Sequence, residues 1–282
     1  MHVIEWAENN ILFFDGAMGT MLQKHGLKSG ELAELWNLEH PLVVTHIHQA
    51  YVQAGADVIT ANTFQANELT MKGYDIEEVV KAGVTCAKEA NPKYVALDVG
   101  PIGHLLEPYG DISFDQAYEV FGRTMKASEN AGADLIVIET LSDLSEAKAA
   151  IQAAKDFTNL PVFCTMNFQE NGYTFMGHDA AMVTKTLQEY GVDALGINCS
   201  LGPDKMTNIV ETMLALSQIP VMVQANAGLP VIRESKPYYE MQPAQYADAV
   251  VEMIKQGVRI IGGCCGTTPE YIRAIREIVI AD

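Results

Sequence analysis

The chain has 282 residues, of which 49% are hydrophobic, and a formal net charge of −18. This charge argues against binding to nucleic acid or to an anionic membrane, because both are themselves negative. The longest apolar runs are far below the roughly 18 residues of a membrane span, and the first ten residues lack the basic segment of a secretory signal. Five cysteines without a disulfide-framework spacing are typical of a reducing compartment. We therefore expect a cytoplasmic protein with no membrane partner.

Short apolar runs alternate with helix-like segments along the chain, eight of each. The predicted strands are Ile11–Phe14, Asp57–Ala61, Tyr94–Leu97, Leu135–Ile138, Pro161–Met166, Ala194–Asn198, Pro220–Gln224 and Val258–Ile261. The predicted helices are Pro41–Ala54, Ile76–Ala90, Phe114–Ala131, Leu144–Phe157, Asp179–Tyr190, Asp204–Ser217, Pro243–Gln256 and Pro269–Val279.

The connections between these segments indicate how the strands pair. Gly55, Gly132 and Gly191 each follow a predicted helix, where a C-cap needs a left-handed residue. Short connections of this kind are typical of parallel strands joined by crossover helices. Eight such units without a linker predict a closed (βα)8 barrel, the TIM-barrel fold, that occupies residues 1–282 as a single domain. An open doubly wound sheet is the alternative.

Three cysteines lie where such a barrel carries its chemistry, at the C-terminal ends of the strands. Cys199 follows the sixth predicted strand, and Cys264 and Cys265 follow the eighth. Neighbouring strand residues point to opposite faces, but the glycines beside the cysteine pair relax this constraint. Three thiolates and one open position describe a catalytic zinc site. The residues alone also allow a vicinal disulfide or buried apolar thiols.

The remaining cysteines and the histidines carry no comparable pattern. Cys86 lies inside the second predicted helix and Cys164 in the middle of the fifth strand, so we expect both in the core. His46 and His48 lie in the first helix, away from the strand ends, and we expect no metal role for them. His178 is interpreted as a polar loop residue.

Two further features at the predicted rim indicate a substrate site. The loop Asp15–Thr20 has glycines three residues apart, so its backbone N–H groups can hold a carboxylate or phosphate. It lacks the lysine of a P-loop and does not match a dinucleotide fingerprint, so we interpret it as a carboxylate cradle, with a tight structural turn as the alternative. Glu139 ends the fourth strand and is predicted either to pair with a substrate ammonium or to be a solvated acid.

The segments Asp15–Thr20, Gly196–Pro203 and Gly262–Pro269 together resemble the homocysteine S-methyltransferase family, and in particular the homocysteine-binding module of cobalamin-dependent methionine synthases. The resemblance covers nearly the whole chain and implies a (βα)8 barrel. It implies an enzyme that activates the thiol of homocysteine and methylates it to methionine. The residues to which it assigns zinc binding and catalysis are Cys199, Cys264 and Cys265. Those that it places around the substrate are Asp15, Gly16, Ala17, Gly19, Thr20, Glu139 and Asn226, with Asn226 near the metal.

The methyl donor implied by the resemblance is methylcobalamin, carried by a corrinoid protein or by another module of a longer chain. Two departures bear on this prediction: Gln65 and Ala225 stand where methionine synthases usually have glycine and proline. Glutamine at the first position is familiar in the branch that uses S-methylmethionine. An onium donor of the S-methylmethionine or betaine type is therefore an alternative. A zinc hydrolase and a purely structural zinc protein are further ones.

Overall fold

The computed structural model describes residues 3–233 and 236–281. Two kinds of sheet are present, and their strands are numbered together in chain order. The short antiparallel hairpin consists of β8 (Pro230–Arg233) and β9 (Lys236–Tyr239). The eight parallel strands are β1 (Leu12–Phe13), β2 (Val58–Thr60), β3 (Tyr94–Val99), β4 (Leu135–Leu141), β5 (Val162–Met166), β6 (Ala194–Asn198), β7 (Val221–Ala225) and β10 (Ile260–Gly263).

The parallel strands form a barrel. Their order is β1-β10-β7-β6-β5-β4-β3-β2, so the two ends of the series are the first two strands of the chain. Phe14 forms a parallel bridge with Val58 directly after β1, which joins those ends. The predicted (βα)8 barrel is confirmed. The alternative is wrong, because an open doubly wound sheet has two unpaired edge strands, whereas the first and last strands of this series are joined to each other.

The helices follow the strands as the sequence predicts, with additional short ones near the N-terminus. No helix in the described part of the chain is both long and apolar enough to cross a membrane. Gly55, Gly132 and Gly191 have the predicted left-handed conformation after their helices. The helices are α1 (Val3–Asn9), α2 (Met18–Lys24), α3 (Trp36–Glu39), α4 (Pro41–Ala54), α5 (Ile76–Glu89), α6 (Phe114–Ala131), α7 (Leu144–Phe157), α8 (Ala180–Tyr190), α9 (Thr207–Leu216), α10 (Pro243–Gln256) and α11 (Pro269–Ala281).

The barrel interior changes from apolar to polar along the strands. Leu135 and Val137 of β4 belong to a buried cluster inside the barrel, together with Val3 and Ala7 of α1. The residues that alternate with them on β4 belong to the larger cluster that packs against the helices. Continuing this alternation, the next inward positions carry polar side chains, namely Thr60, Asp98, Glu139, Thr165, Asn198 and Gln224. The C-terminal mouth is therefore lined by polar groups above an apolar floor.

Glu146 connects α7 to the loop after β3. Its side chain is buried, and its Oε1 accepts a hydrogen bond of 2.8 Å from the Ile102 N–H. Burial raises the pKa of Glu146 from its ordinary 4.5 to about 7. The folded chain thus binds this proton more tightly than the unfolded chain, so the free energy of unfolding decreases as the pH rises through the interval between these two pKa values.

The substitution Glu146→Gln should remove this pH dependence, because glutamine keeps the acceptor for the Ile102 N–H and has no proton to lose. We expect the difference in unfolding free energy between variant and wild type to change by about 3 kcal/mol in favour of the variant between pH 4 and pH 8. Urea denaturation at a series of pH values measures it. Glu211→Gln, at an exposed position of α9, is the matched control and should follow the wild type. A constant difference over this range would contradict the prediction.

Candidate active site

Three cysteine sulfurs meet at the mouth of the barrel. The Sγ atoms of Cys199, Cys264 and Cys265 all lie within 4.8 Å of one another, and those of Cys199 and Cys265 are 3.9 Å apart. All three side chains are partly exposed and none forms a disulfide. Within residues 3–233 and 236–281, these are the metal-competent side chains that converge in a group of three or more. Cys86 and Cys164 are free and buried elsewhere, as predicted.

The turn after β10 allows two adjacent cysteines to face the same point. Cys264 continues the ladder of the sheet, since its N–H donates to the Ala225 carbonyl at 2.8 Å. The chain then turns, and the Thr267 N–H donates to the Cys264 carbonyl at 3.1 Å. Gly266 takes a φ of +83° in this turn, which a residue with a side chain rarely adopts.

Cys199 is directed at the pair by a strained backbone. Cys199 and Ser200 directly follow β6 and have φ values of 59° and 58°. Non-glycine residues in this left-handed region cost about 1–3 kcal/mol each and persist only where the surroundings fix them. Here the Cys199 N–H donates to the Gln224 carbonyl at 3.0 Å, and its own carbonyl accepts from the Leu201 N–H at 2.7 Å. The left-handed turn is thus held in place by the neighbouring strand.

The ionisation of each sulfur depends on its two neighbours. Hydrogen bonding with Cys199 and Cys264 lowers the Cys265 pKa to about 3. Hydrogen bonding with Cys199 and Cys265 raises the Cys264 pKa well above its ordinary value. Soft sulfur donors in this number suit zinc, whose divalent charge would favour their ionised forms.

A cavity of about 410 Å³ opens onto the three sulfurs. Its lining is acidic, with Glu31, Glu34, Asp98 and Glu139, and no lysine, arginine or histidine lines it in the described part of the chain. A larger depression of about 620 Å³ lies near the opposite end of the barrel, but it contains none of the three cysteines. The chemistry of the lining, rather than the volume, identifies the mouth as the candidate site.

Asp98 and Glu139 form an acidic pair in the lining of this cavity. Asp98 is partly buried, but its Oδ1 atom is fully buried and finds no hydrogen-bond partner among the described residues. Burial raises the Asp98 pKa well above its ordinary value, and the charges of Glu139, Asp15 and Glu34 raise it further. Burial likewise raises the Glu139 pKa to about 8, with added contributions from Asp15 and Cys265. A cation placed between these two carboxyl groups would favour their ionised forms.

Asp15 lies outside the cavity lining, and its carboxylate connects the end of β1 to the end of β2. Its carboxylate accepts a hydrogen bond of 3.0 Å from the Thr60 N–H and one of 2.8 Å from the Thr60 hydroxyl. It is 2% exposed, and burial raises its pKa to about 7. The other residues predicted in this loop line the cavity, namely Gly16, Ala17, Gly19 and Thr20.

Asn226 lies behind the cysteines, directly after β7. It is 3% exposed, and its N–H donates to the Leu201 carbonyl at 2.9 Å. Its side-chain Oδ1 has no partner in the part of the chain that the structure describes. Gln224, two residues earlier, also has an unpartnered side-chain oxygen and lines the cavity. Two amide oxygens are therefore left without a donor near the sulfur cluster.

Several residues of the site have no role in the sequence-based prediction. Asp98 and Gln224 could have been found from the inward alternation of β3 and β7, which continues from Ala96 and Met222. Glu34 offered no such signal, because it lies on a 3₁₀ turn between α2 and α3 (Ala33–Leu35). In the folded chain Glu34 lines the mouth, and its carboxylate accepts a hydrogen bond of 2.8 Å from the Gln65 N–H.

Comparison with known proteins decides the family of the chain. The sequence model for homocysteine S-methyltransferases matches residues 12–279. The chain belongs to the homocysteine S-methyltransferase family. The resemblance inferred from the three sequence segments is confirmed.

Curated relatives of this homocysteine S-methyltransferase chain include two methionine synthases. The one from Mycobacterium leprae is 30% identical over 301 residues, and the one from Mycobacterium tuberculosis is 29% identical. Each alignment covers 98% of this chain and 25% of the relative. The chain thus spans about a quarter of the length of the curated relatives that it matches.

Solved structures of a homocysteine methyltransferase have the same fold. The oxidized form of MmuM from Escherichia coli superposes with a TM-score of 0.81 and 26% identity, over 95% of this chain and 96% of that one. Its metallated form superposes with a TM-score of 0.82 over 98% and 99% of the two chains; at 24% identity, this second match supports the fold only.

Proposed function

We propose that this chain binds homocysteine and methylates its sulfur to give methionine, with a zinc ion held by Cys199, Cys264 and Cys265. The observation that carries the proposal is the convergence of three cysteine sulfurs within 4.8 Å of one another. They line a cavity of about 410 Å³, a volume that accommodates a small amino acid. The methyl donor that we propose is a methylcorrinoid carried by a partner protein or module.

The three cysteines suit a zinc ion that keeps one position for a substrate. Their sulfurs lie within 4.8 Å of one another, and all three cysteines line the cavity. An alkyl thiol with a pKa near 8.5 is mostly protonated at neutral pH and is a poor nucleophile. Zinc bound here would hold the substrate sulfur as a thiolate without redox side reactions.

The acidic pair Asp98 and Glu139 provides the site for the amino group of homocysteine. Glu139 and Asp98 approach the sulfur cluster from β4 and β3, and the free Oδ1 of Asp98 lacks a donor. An ammonium group between them would donate hydrogen bonds to both carboxylates and offset their mutual repulsion. The α-carboxylate of the substrate would then lie on the glycine-containing loop Gly16–Thr20, whose backbone N–H groups require no cationic side chain.

In the transfer itself, the substrate sulfur attacks the methyl carbon, the new S–CH₃ bond forms as the bond from donor to carbon breaks, and the donor keeps that electron pair. The residues of the site contribute by holding both ends of homocysteine, which fixes the sulfur in the line of attack. The partial exposure of all three cysteines leaves this sulfur accessible to a methyl group presented from outside the barrel.

A second candidate differs only in the donor. The cavity combines Glu31 and Glu34 with the aromatic ring of Phe64 and with Gln65, and among the described residues no basic side chain lines it. An acidic and aromatic lining also suits a small sulfonium or quaternary ammonium donor. S-methylmethionine is therefore the alternative source of the methyl group.

The test is an assay of the zinc-loaded chain with homocysteine and each donor separately. We expect slow formation of methionine from free methylcobalamin and a marked acceleration by a corrinoid protein, because docking holds the methyl carbon within about 3–3.5 Å of the sulfur. S-methylmethionine and glycine betaine should be poor donors.

Two outcomes of this assay would contradict the proposal. Rapid turnover with S-methylmethionine alone would overturn the corrinoid donor and leave thiol activation in place. Absence of methionine with all of the donors would overturn the methyltransferase activity as well.

A further inference from the structure

The β8–β9 hairpin approaches the cysteine cluster from outside the barrel. It follows Asn226 in the chain and ends with Tyr239, whose side chain is half-buried and packs against the core. The ring of Tyr239 lies on Gly266, since a Cβ at that glycine would collide with it. By contrast, the Ile232 side chain of the same hairpin is 69% exposed. Tyr239 is thus directed at the backbone that directly follows Cys265.

Backbone hydrogen bonds connect the base of the hairpin to this turn. The Met241 N–H donates to the Ala227 carbonyl at 3.3 Å, and the Ala227 N–H donates to the Cys265 carbonyl at 3.0 Å. The Tyr271 hydroxyl donates to the Met241 carbonyl at 2.6 Å. The residues that follow Tyr239 are therefore fixed relative to Cys265, which leaves the ring little freedom to move away.

The three sulfurs differ in what orients them. Cys264 is oriented by the strand ladder that it continues, and Cys199 by its left-handed backbone. Cys265 lies in the turn beyond the strand, where the pleat no longer fixes its direction. The ring of Tyr239 lies on Gly266, the residue that follows Cys265. Burial raises the Tyr239 pKa, and the nearby charge of Cys265 raises it further. The phenol is therefore placed to supply the constraint that the backbone does not.

We propose that Tyr239 is a positioning residue for Cys265, in which the ring rests on Gly266 and the hydroxyl donates to the sulfur. The inference rests on the proposed three-cysteine zinc site and extends it to the hairpin. Partners that hydrogen-bond a metal ligand set its orientation and its electron donation, and removing one typically lowers metal affinity by about 10- to 100-fold. The hairpin is thereby a functional part of the zinc site.

The test is Tyr239→Phe, which keeps the ring on Gly266 and removes only the hydroxyl. We expect zinc affinity, measured by competition with a chromophoric chelator, to weaken by about 10- to 100-fold. In the cobalt-substituted protein, the sulfur-to-cobalt charge-transfer band should shift, which a purely structural role of the ring would not cause. Tyr238→Phe is the matched control, because the adjacent strand residue points to the other face and is 47% exposed. It should leave both readouts unchanged.

The outcomes separate this inference from the proposed function. If the wild type binds one zinc and Tyr239→Phe matches it in affinity and in cobalt spectrum, the role of Tyr239 is overturned and the proposed function stands. If the wild type binds no zinc, the proposed metal site is overturned and the inference with it.

Discussion

Replacing any one of Cys199, Cys264 or Cys265 by alanine is expected to reduce bound zinc from one ion per chain to nearly none and to abolish methyl transfer to homocysteine. With two sulfurs left, the substrate would have to supply the third ligand, and its thiol would no longer be held by a complete tetrahedral set. Metal analysis of the purified variants, together with the methionine assay, measures both effects.

Cys86→Ala and Cys164→Ala are the matched controls for this series. Both cysteines are buried away from the mouth, in α5 and β5 respectively. Each control should lose some stability through the small cavity it creates and keep a full complement of zinc. Full zinc retention in the three mouth variants would contradict the ligand assignment, as would its loss from a folded control variant.

The substitution Glu139→Gln is expected to weaken homocysteine binding by about 30-fold or more. Removing one partner of a buried charged hydrogen-bonded pair typically costs about 2–5 kcal/mol, and Glu139 is 9% exposed. The variant should fold, because burial opposes the charge on this side chain and raises its pKa to about 8. Isothermal titration calorimetry at a pH near 8.5, where the carboxyl group of the wild type is largely ionised, gives the largest contrast.

A matched ligand isolates the ammonium contact. The compound 4-mercaptobutyrate keeps the thiol and the carboxylate of homocysteine and lacks its amino group. Wild type and Glu139→Gln should bind it equally. The four affinities, of two proteins for two ligands, form a thermodynamic cycle that gives the interaction energy between Glu139 and the amino group. An equal loss of affinity for both ligands would show that Glu139 acts on the cavity as a whole, which would contradict its assignment to the ammonium group.

Much of this site follows from local sequence patterns. Glu139 ends a predicted strand, and Cys199 and Cys264 directly follow theirs, which places all three at one mouth of the barrel. These predictions succeed because parallel strands in a barrel share a direction, so that residues far apart in the chain reach the same end.

The β8–β9 hairpin was not predicted, and neither were α1, α2 and α3. The short helices have 7, 7 and 4 residues, which is too little for a periodic pattern to be recognised. The hairpin is similarly brief, with 4 residues in each strand. Its alternation is interrupted by Pro230 and Pro237, which weaken a strand pattern. Elements of this length depend on their contacts with the barrel more than on their own sequence.

The sequence by itself determined the (βα)8 barrel, the three converging cysteines and the family, because the period of the strands, the helix-ending glycines and the spacing of the motifs are local properties of the chain. Only the tertiary structure decided which polar side chains meet around the sulfurs. Asp15 lies beside the predicted substrate loop, yet its carboxylate is occupied by Thr60. Glu34 comes from a turn and lines the cavity, and Tyr239 comes from a hairpin and packs on Gly266, next to Cys265. Neither residue lies in a chemical motif. Hydrogen bonds between side chains of distant segments depend on distances of a few ångströms, and those distances are set by packing rather than by local sequence.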